Sequence, residues 1–175
     1  MKNTKLFSIL AVSGTLVSSA CAEDVVVKTE SPIKASIGVY NPVGGATRNA
    51  MGSTLPMLSI GYEPGKTTAD KPLLFGAFFD YAQNKKNGTN ASMTAFGVSA
   101  RYISQSPRSA DRYFYGAGVG SYDVKIGTSN SKVGAKIFGG YERNDGYFGQ
   151  VSYHMLSKIN GNDPSALSFS VGRRF

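Results

Sequence analysis

The sequence has one cysteine, Cys21, one histidine, His154, and no tryptophan. A lone cysteine cannot form an intramolecular disulfide, and zinc sites built from several thiolates and imidazoles are excluded. The acidic residues Asp80, Glu142 and Asp163 are too dispersed in the sequence to predict a metal site. We therefore expect no disulfide, no metal and no cofactor.

Long apolar runs are also missing. After the N-terminal segment, no stretch approaches the roughly eighteen apolar residues that a membrane-spanning helix needs. The net charge of +8 is not arranged as a basic face with interleaved aromatic residues, so no nucleic-acid partner is expected. Glycine and aromatic residues are plentiful instead, with 21 Gly, 10 Tyr and 10 Phe. This composition fits alternating strands better than helices.

The first 22 residues have the features of an export signal. Two lysines precede an apolar stretch at 6–17, and Ala-Cys-Ala at 20–22 is a small-residue cleavage site. We predict a signal peptide at 1–22, followed by a short leader at 23–33. An alternative stays open, because the residues around Cys21 loosely resemble a bacterial lipoprotein cleavage site, at which that cysteine would carry the lipid.

Eight segments then alternate between apolar residues and small or polar ones. A period of two is typical of a strand, and none of these segments has a convincing helical period. Turn-rich stretches separate the segments, and Asn-Asp-Gly at 144–146 is the tightest of them. The regular spacing predicts an antiparallel meander. The predicted strands are 34–40, 56–62, 73–82, 92–102, 113–122, 132–142, 147–155 and 166–175.

The two faces of these segments differ in composition. One face is apolar and aromatic, and the other is rich in glycine. Eight charged residues lie inside the segments, and only Arg173 falls on the apolar face. A charge facing hydrocarbon at mid-depth costs about 2–4 kcal/mol, so a lipid environment would enforce this division. The pattern therefore predicts an all-β domain at 34–175, an antiparallel, up-and-down, eight-stranded transmembrane β-barrel that is apolar outside.

Side chains fill the lumen of an eight-stranded barrel. We therefore expect a polar network inside and no open channel. A buried Lys136 needs a carboxylate or several acceptors, and Asp80, Tyr122 and Gln150 are candidates. The residues predicted to form the network are Lys34, Asp80, Arg101, Lys132, Lys136, Glu142, Gln150, His154 and Arg174.

The last segment alternates through Phe169 and Val171 to a final aromatic residue, Phe175. With the export signal and the eight alternating segments, this ending resembles the small eight-stranded outer-membrane β-barrel superfamily of bacteria. The resemblance implies location in the bacterial cell outer membrane. It also implies that the barrel-assembly machinery is a partner, reading Phe169, Val171 and Phe175 as its signal. Arg173 departs from the superfamily pattern, which usually has an aromatic residue there.

The resemblance further implies that both termini are periplasmic, which fixes the expected depth of each lumen residue. Lys136 is expected about midway through the barrel. The periplasmic end is expected to hold Lys34, Arg101, Glu142 and Arg174, and the outer rim Asp80, Lys132 and His154.

Three functions are compatible with this architecture. The first is an outer-membrane barrel with a structural or surface-interaction role, monomeric, without catalytic activity and with membrane lipids as partners. The second is a soluble periplasmic lipocalin-like barrel that binds an apolar ligand. The third is a lipid-modifying outer-membrane enzyme using Ser152 and His154, since some members of the superfamily use a serine and a histidine near the outer rim. Such enzymes need the pair on the lipid face, whereas the alternation places both residues inside.

Overall fold

The computed structural model shows eight strands that form a closed barrel, in which each strand pairs antiparallel with its neighbours in the chain and β8 pairs with β1. The structure describes residues 31–65, 72–86, 89–106, 109–159 and 163–175. The strands are β1 (Ile33–Pro42), β2 (Leu55–Tyr62), β3 (Leu73–Lys86), β4 (Thr89–Ser106), β5 (Ser109–Ile126), β6 (Thr128–Glu142), β7 (Tyr147–Leu156) and β8 (Ala166–Arg174). The predicted signal peptide and most of the predicted leader lie outside the described residues. The prediction of an eight-stranded up-and-down barrel is confirmed.

The period of two decides which side chains point into the barrel. On β4 and β5, the outward residues Phe96, Val98 and Val119 are all more than half exposed. On the neighbouring inward positions, Phe78 of β3 and Phe114 of β5 are buried. The same alternation holds on every strand, so the barrel is apolar on its outer surface.

Three hairpins are longer than the sequence predicted. The stretches 84–88, 104–107 and 127–130 were expected to be turns, yet strands run through most of each. In the β5–β6 hairpin only Gly127 lies between the strands, with a φ of 75° that favours glycine. Polar residues continue these strands because a strand that projects beyond the barrel is hydrated on both faces and needs no apolar side.

A short helix, α1 (Gly45–Met51), lies in the β1–β2 connection, where no helix was predicted. No helix in the described part of the chain is long and apolar enough to cross a membrane. The helix is held by tertiary contacts: Thr47 donates to the Asp163 carbonyl at 2.7 Å, and Asn84 Nδ2 donates to the Met51 carbonyl at 3.2 Å. Thr47 and Met51 are fully buried, so α1 caps the lumen. We call this the helix end and the opposite one, where β1 begins, the terminal end.

Among the residues that the structure describes, the hydrophobic core forms two clusters inside the barrel. The cluster at the helix end includes Met51 from α1 together with Tyr40, Met93 and Tyr122 from the strands. The smaller cluster lies toward the terminal end and is mainly aromatic. Its members are Leu74, Ile103, Phe114, Phe138 and Phe148.

The β6–β7 turn at 144–146 is the tight hairpin that the sequence predicted. The Arg143 amide donates to the Tyr147 carbonyl at 2.8 Å, and Gly146 has a φ of 86°. A side chain at Gly146 would also come within 2.7 Å of the Arg174 carbonyl, so both conformation and space require glycine. This turn fixes the register of β7 at the terminal end.

Candidate functional site

Two buried carboxylates lie at the terminal end of the lumen. Glu63 follows β2, and Glu142 is the last residue of β6. Glu63 binds three cations: Lys34 Nζ lies 2.5 Å from Oε1, and Arg101 Nη1 and Arg174 Nη2 lie 2.9 Å and 2.5 Å from Oε2. The single carboxylate therefore ties together side chains from β1, β4 and β8.

Glu142 forms the second half of the same network. Its Oε1 accepts from Arg112 Nη2 at 2.7 Å and from Arg174 Nε at 3.1 Å, and its Oε2 accepts from Arg101. Arg101 and Arg174 thus bridge both carboxylates. We call the whole set the terminal charge cluster; it comprises Lys34, Glu63, Arg101, Arg112, Glu142 and Arg174.

The buried charges of the terminal charge cluster are stabilised because they pair with opposite charges. Removing a charge from water is costly unless opposite charges and hydrogen bonds replace the solvent. Burial would raise the pKa of the Glu63 carboxyl, but the charges of Lys34, Arg101 and Arg174 outweigh that effect and hold the pKa below its ordinary value. The Arg101 guanidinium also lies 3.9 Å from the centre of the Phe114 ring, where the π face attracts a cation.

A second ion pair lies about midway along the lumen. Lys136 Nζ contacts Asp80 Oδ2 at 2.8 Å, and both side chains are buried. The same ammonium lies 3.6 Å from the centre of the Phe78 ring. Asp80 is therefore the carboxylate partner of Lys136 and shares its depth. The expectation that Asp80 lies at the outer rim is wrong, because β2 and β3 pair in a register that aligns it with Ser59, well below the end of β3.

The single histidine lies between the ion pair and the apolar cluster of the helix end. His154 is 1% exposed; its Nε2 lies 3.0 Å from Ser168 Oγ and its Nδ1 lies 3.4 Å from Tyr122 Oη. Ser152 instead accepts a hydrogen bond from Gln150 Nε2 at 2.9 Å. The structure thus places Ser152 and His154 on the lumen face but pairs each with a different partner.

Two other predictions meet different outcomes. Lys132 has the parity of the lumen face but is exposed, because it lies two residues beyond Gly134, the last residue of β6 that pairs with β7. The buried network therefore excludes it. Phe169, Val171 and Phe175 lie exposed on the outer surface, as their alternation predicts.

Sequence reasoning missed two members of the terminal charge cluster, Glu63 and Arg112. Each lies one residue outside a predicted strand, so Glu63 was assigned to a turn and Arg112 to a connection. Extending the alternation by one residue would have found them, since Glu63 continues the inward parity of β2 and Arg112 that of β5.

The lumen has little free volume. A cavity of about 20 Å³ lies among Ser36, Lys136, Phe138 and Gln150, which is room for about one water molecule. Among the described residues, no group of three or more His, Cys, Asp or Glu side chains could hold a metal ion. The space beside the Asp80–Lys136 pair is therefore mostly filled by side chains.

No protein-family model and no curated protein matches this chain. Its structure is similar to the crystal structure of Neisserial surface protein A, with a TM-score of 0.55 and 16% identity over 82% of this chain and 96% of that one. It is also similar to the crystal structure of the outer membrane enzyme PagL, with a TM-score of 0.54 and 15% identity over 82% of this chain and 97% of that one. At such identities the likeness concerns the fold alone. The chain therefore has the fold of the small eight-stranded outer-membrane β-barrels.

Proposed function

We propose that this protein is an integral β-barrel of the bacterial outer membrane, with a structural or surface-interaction role and no catalytic activity. The observation that supports this proposal is the apolar outer surface. Large apolar side chains such as Ile37, Phe75, Val98 and Val171 are each more than 60% exposed, and they surround the barrel. A soluble monomer rarely exposes contiguous apolar patches larger than a few hundred Å². A lipid bilayer would bury this surface.

Tyrosines at the terminal end support the same membrane location. Tyr102 and Tyr115 stack with their ring centres 5.0 Å apart, and Tyr113 and Tyr141 lie 5.3 Å apart. Aromatic residues favour the boundary between lipid and water, so this group marks one membrane interface. We propose that the terminal end faces the periplasm, that the barrel is a monomer, and that its C-terminal strand carries the assembly signal.

The filled lumen disfavours a lipocalin-like carrier. Such a barrel holds its ligand in an apolar internal cavity, and ligand pockets usually have about 300–1,000 Å³. Here the lumen contains the terminal charge cluster, the Asp80–Lys136 pair and a cavity of about 20 Å³. The same filling supports a barrel without an open channel.

The proposal predicts behaviour on membrane extraction. Membranes from expressing cells are washed with urea, and the pellet is run on electrophoresis gels with and without boiling. The protein is expected to stay in the pellet and to migrate differently once boiled, because the hydrogen-bonded barrel resists detergent until heated. Release into the soluble fraction without a mobility shift would contradict a membrane location and favour a soluble barrel.

The proposal also predicts no lipid hydrolysis. Purified barrel incubated with lipopolysaccharide or phospholipid vesicles is expected to release no fatty acid above the buffer rate, because His154 is buried and its ring contacts Ser168 and Tyr122. The matched comparison is His154→Ala, which should give the same trace. Fatty acid release by the wild type that disappears in His154→Ala would instead establish a lipid-modifying enzyme.

A further inference from the structure

A groove runs along the outer surface at the terminal end, across β1, β7 and β8. Its volume is about 630 Å³, and its lining is mostly apolar. The small residues Gly149 and Ala35 form the floor of the groove. The larger side chains of Ile37, Leu58 and Tyr147 surround it. The volume lies within the range of about 300–1,000 Å³ that is usual for small-molecule sites. The outer surface therefore has a concave site at this place.

The groove exists because of the small residues at outward positions. A Cβ added at Gly149 would meet no atom within 4 Å, so the space above this residue is open. Gly149 pairs with Tyr141 on β6 and with Val171 on β8, both of which carry large side chains. The missing side chain thus leaves a channel between taller neighbours, and the channel opens sideways into the surroundings of the barrel.

Two arginines line the groove. Inside the predicted segments, Arg173 is the one charged residue on the apolar face, and it is exposed. Its guanidinium lies 5.1 Å from the centre of the Tyr147 ring, and no carboxylate in the described part of the chain lies within ion-pair distance. Arg143 pairs with Asp145 at 3.2 Å, but both side chains are exposed, and such pairs contribute little. The polar edge of the groove is therefore positively charged.

We propose that this groove binds one anionic glycerophospholipid from the surrounding bilayer. The acyl chain lies along the floor over Gly149 and Ala35, and the phosphate contacts Arg173, with Arg143 beside it. Guanidinium groups bind phosphate through two parallel hydrogen bonds, which suits this pair better than a lone ammonium would. The inference rests on the proposed membrane location, since the groove is open to the side and not to the lumen. Binding of a lipid phosphate also explains why Arg173 lies on the apolar outer face, where lipid penalises charge.

The experiment uses the purified, folded full chain in neutral detergent. Native mass spectrometry measures the dissociation constants of dioleoyl phosphatidylglycerol and dioleoyl phosphatidylethanolamine. The wild type is expected to prefer phosphatidylglycerol. Arg173→Gln is expected to weaken binding of that lipid about fivefold, since one basic residue near anionic lipid contributes about that factor. Arg173→Lys keeps the charge but loses the paired hydrogen bonds, so it should retain only part of the preference.

Gly149→Leu fills the groove and is expected to weaken binding of both lipids. The control is Ala117→Leu, which adds the same side chain at an exposed position on β5 away from the groove. Heat-dependent mobility verifies that each variant is folded, and Arg143→Gln replaces Arg173→Gln if the latter does not assemble. Equal binding of the two lipids by the wild type, or equal effects of Gly149→Leu and Ala117→Leu, would overturn the site. A barrel that is retained in membranes without lipid preference would refute this inference and leave the proposed function standing.

Discussion

Replacing Glu142 with glutamine is expected to lower the free energy of unfolding of the barrel by about 3–5 kcal/mol, the usual cost of removing one partner from a buried ion pair. Glu142 is fully buried and accepts from Arg101, Arg112 and Arg174. Glutamine keeps the size of the side chain but removes its charge, so Glu63 is the one carboxylate of the terminal charge cluster that still pairs with Arg101 and Arg174. The measurement is a urea titration of the barrel folded in phospholipid vesicles.

The matched control is Asp145→Asn, which also converts a carboxylate in an arginine pair into an amide. Asp145 is exposed, and its pair with Arg143 lies at the surface. Its loss should change the free energy of unfolding by at most about 1 kcal/mol, as for other exposed pairs. Similar values for the two variants would show that the terminal charge cluster does not stabilise the barrel.

The alternation of side chains made most of the fold predictable. A period of two decides the inward or outward direction of each residue, and a wrong register would have placed Asp80 or Lys136 on the outer surface. The structure buries both, and it exposes Val98 and Val119. The number of strands followed from the same pattern, because each alternating segment forms one strand of the barrel.

Features that depend on tertiary contacts were not predictable in this way. Helix α1 has seven residues and no apolar stripe of its own, and its buried residues Thr47 and Met51 gain their environment only when the barrel has closed. The sequence left three candidates for the partner of Lys136, because it does not give the height of one strand relative to another along the barrel axis. The height of a strand relative to its neighbour depends on the shear of the barrel. For β2 and β3, the pairing of Ser59 with Asp80 shows this offset.

Charged residues fill one end of the lumen, and apolar residues fill the other. The terminal charge cluster connects side chains from β1, β4, β5, β6 and β8 to the residue that follows β2, so one buried network links most of the strands at this end. Opposite it, α1 and the apolar cluster around Met51 and Met93 fill the helix end. Because the interior is filled at both ends, the surfaces left for contact with a ligand or partner are the outer surface and the loops.

Replacing Val98 with arginine is expected to lower the free energy of unfolding in phospholipid vesicles by about 2–4 kcal/mol, the cost of a lipid-facing arginine at the membrane midplane. Val98 is 62% exposed, lies near the middle of the apolar surface and pairs with Ala77 and Val119. In a soluble barrel the same substitution would place a charge in water and change stability by less than about 0.5 kcal/mol.

Ser104→Arg is the matched control, because Ser104 is exposed on the same strand and the same face, six residues nearer the terminal end. If the tyrosines around Tyr102 and Tyr113 mark the interface, an arginine at Ser104 reaches water and should cost only about 0–1 kcal/mol. A large difference between Val98→Arg and Ser104→Arg therefore measures depth in lipid. Equal, small effects would mean that the apolar surface meets something other than a bilayer, such as a second protein.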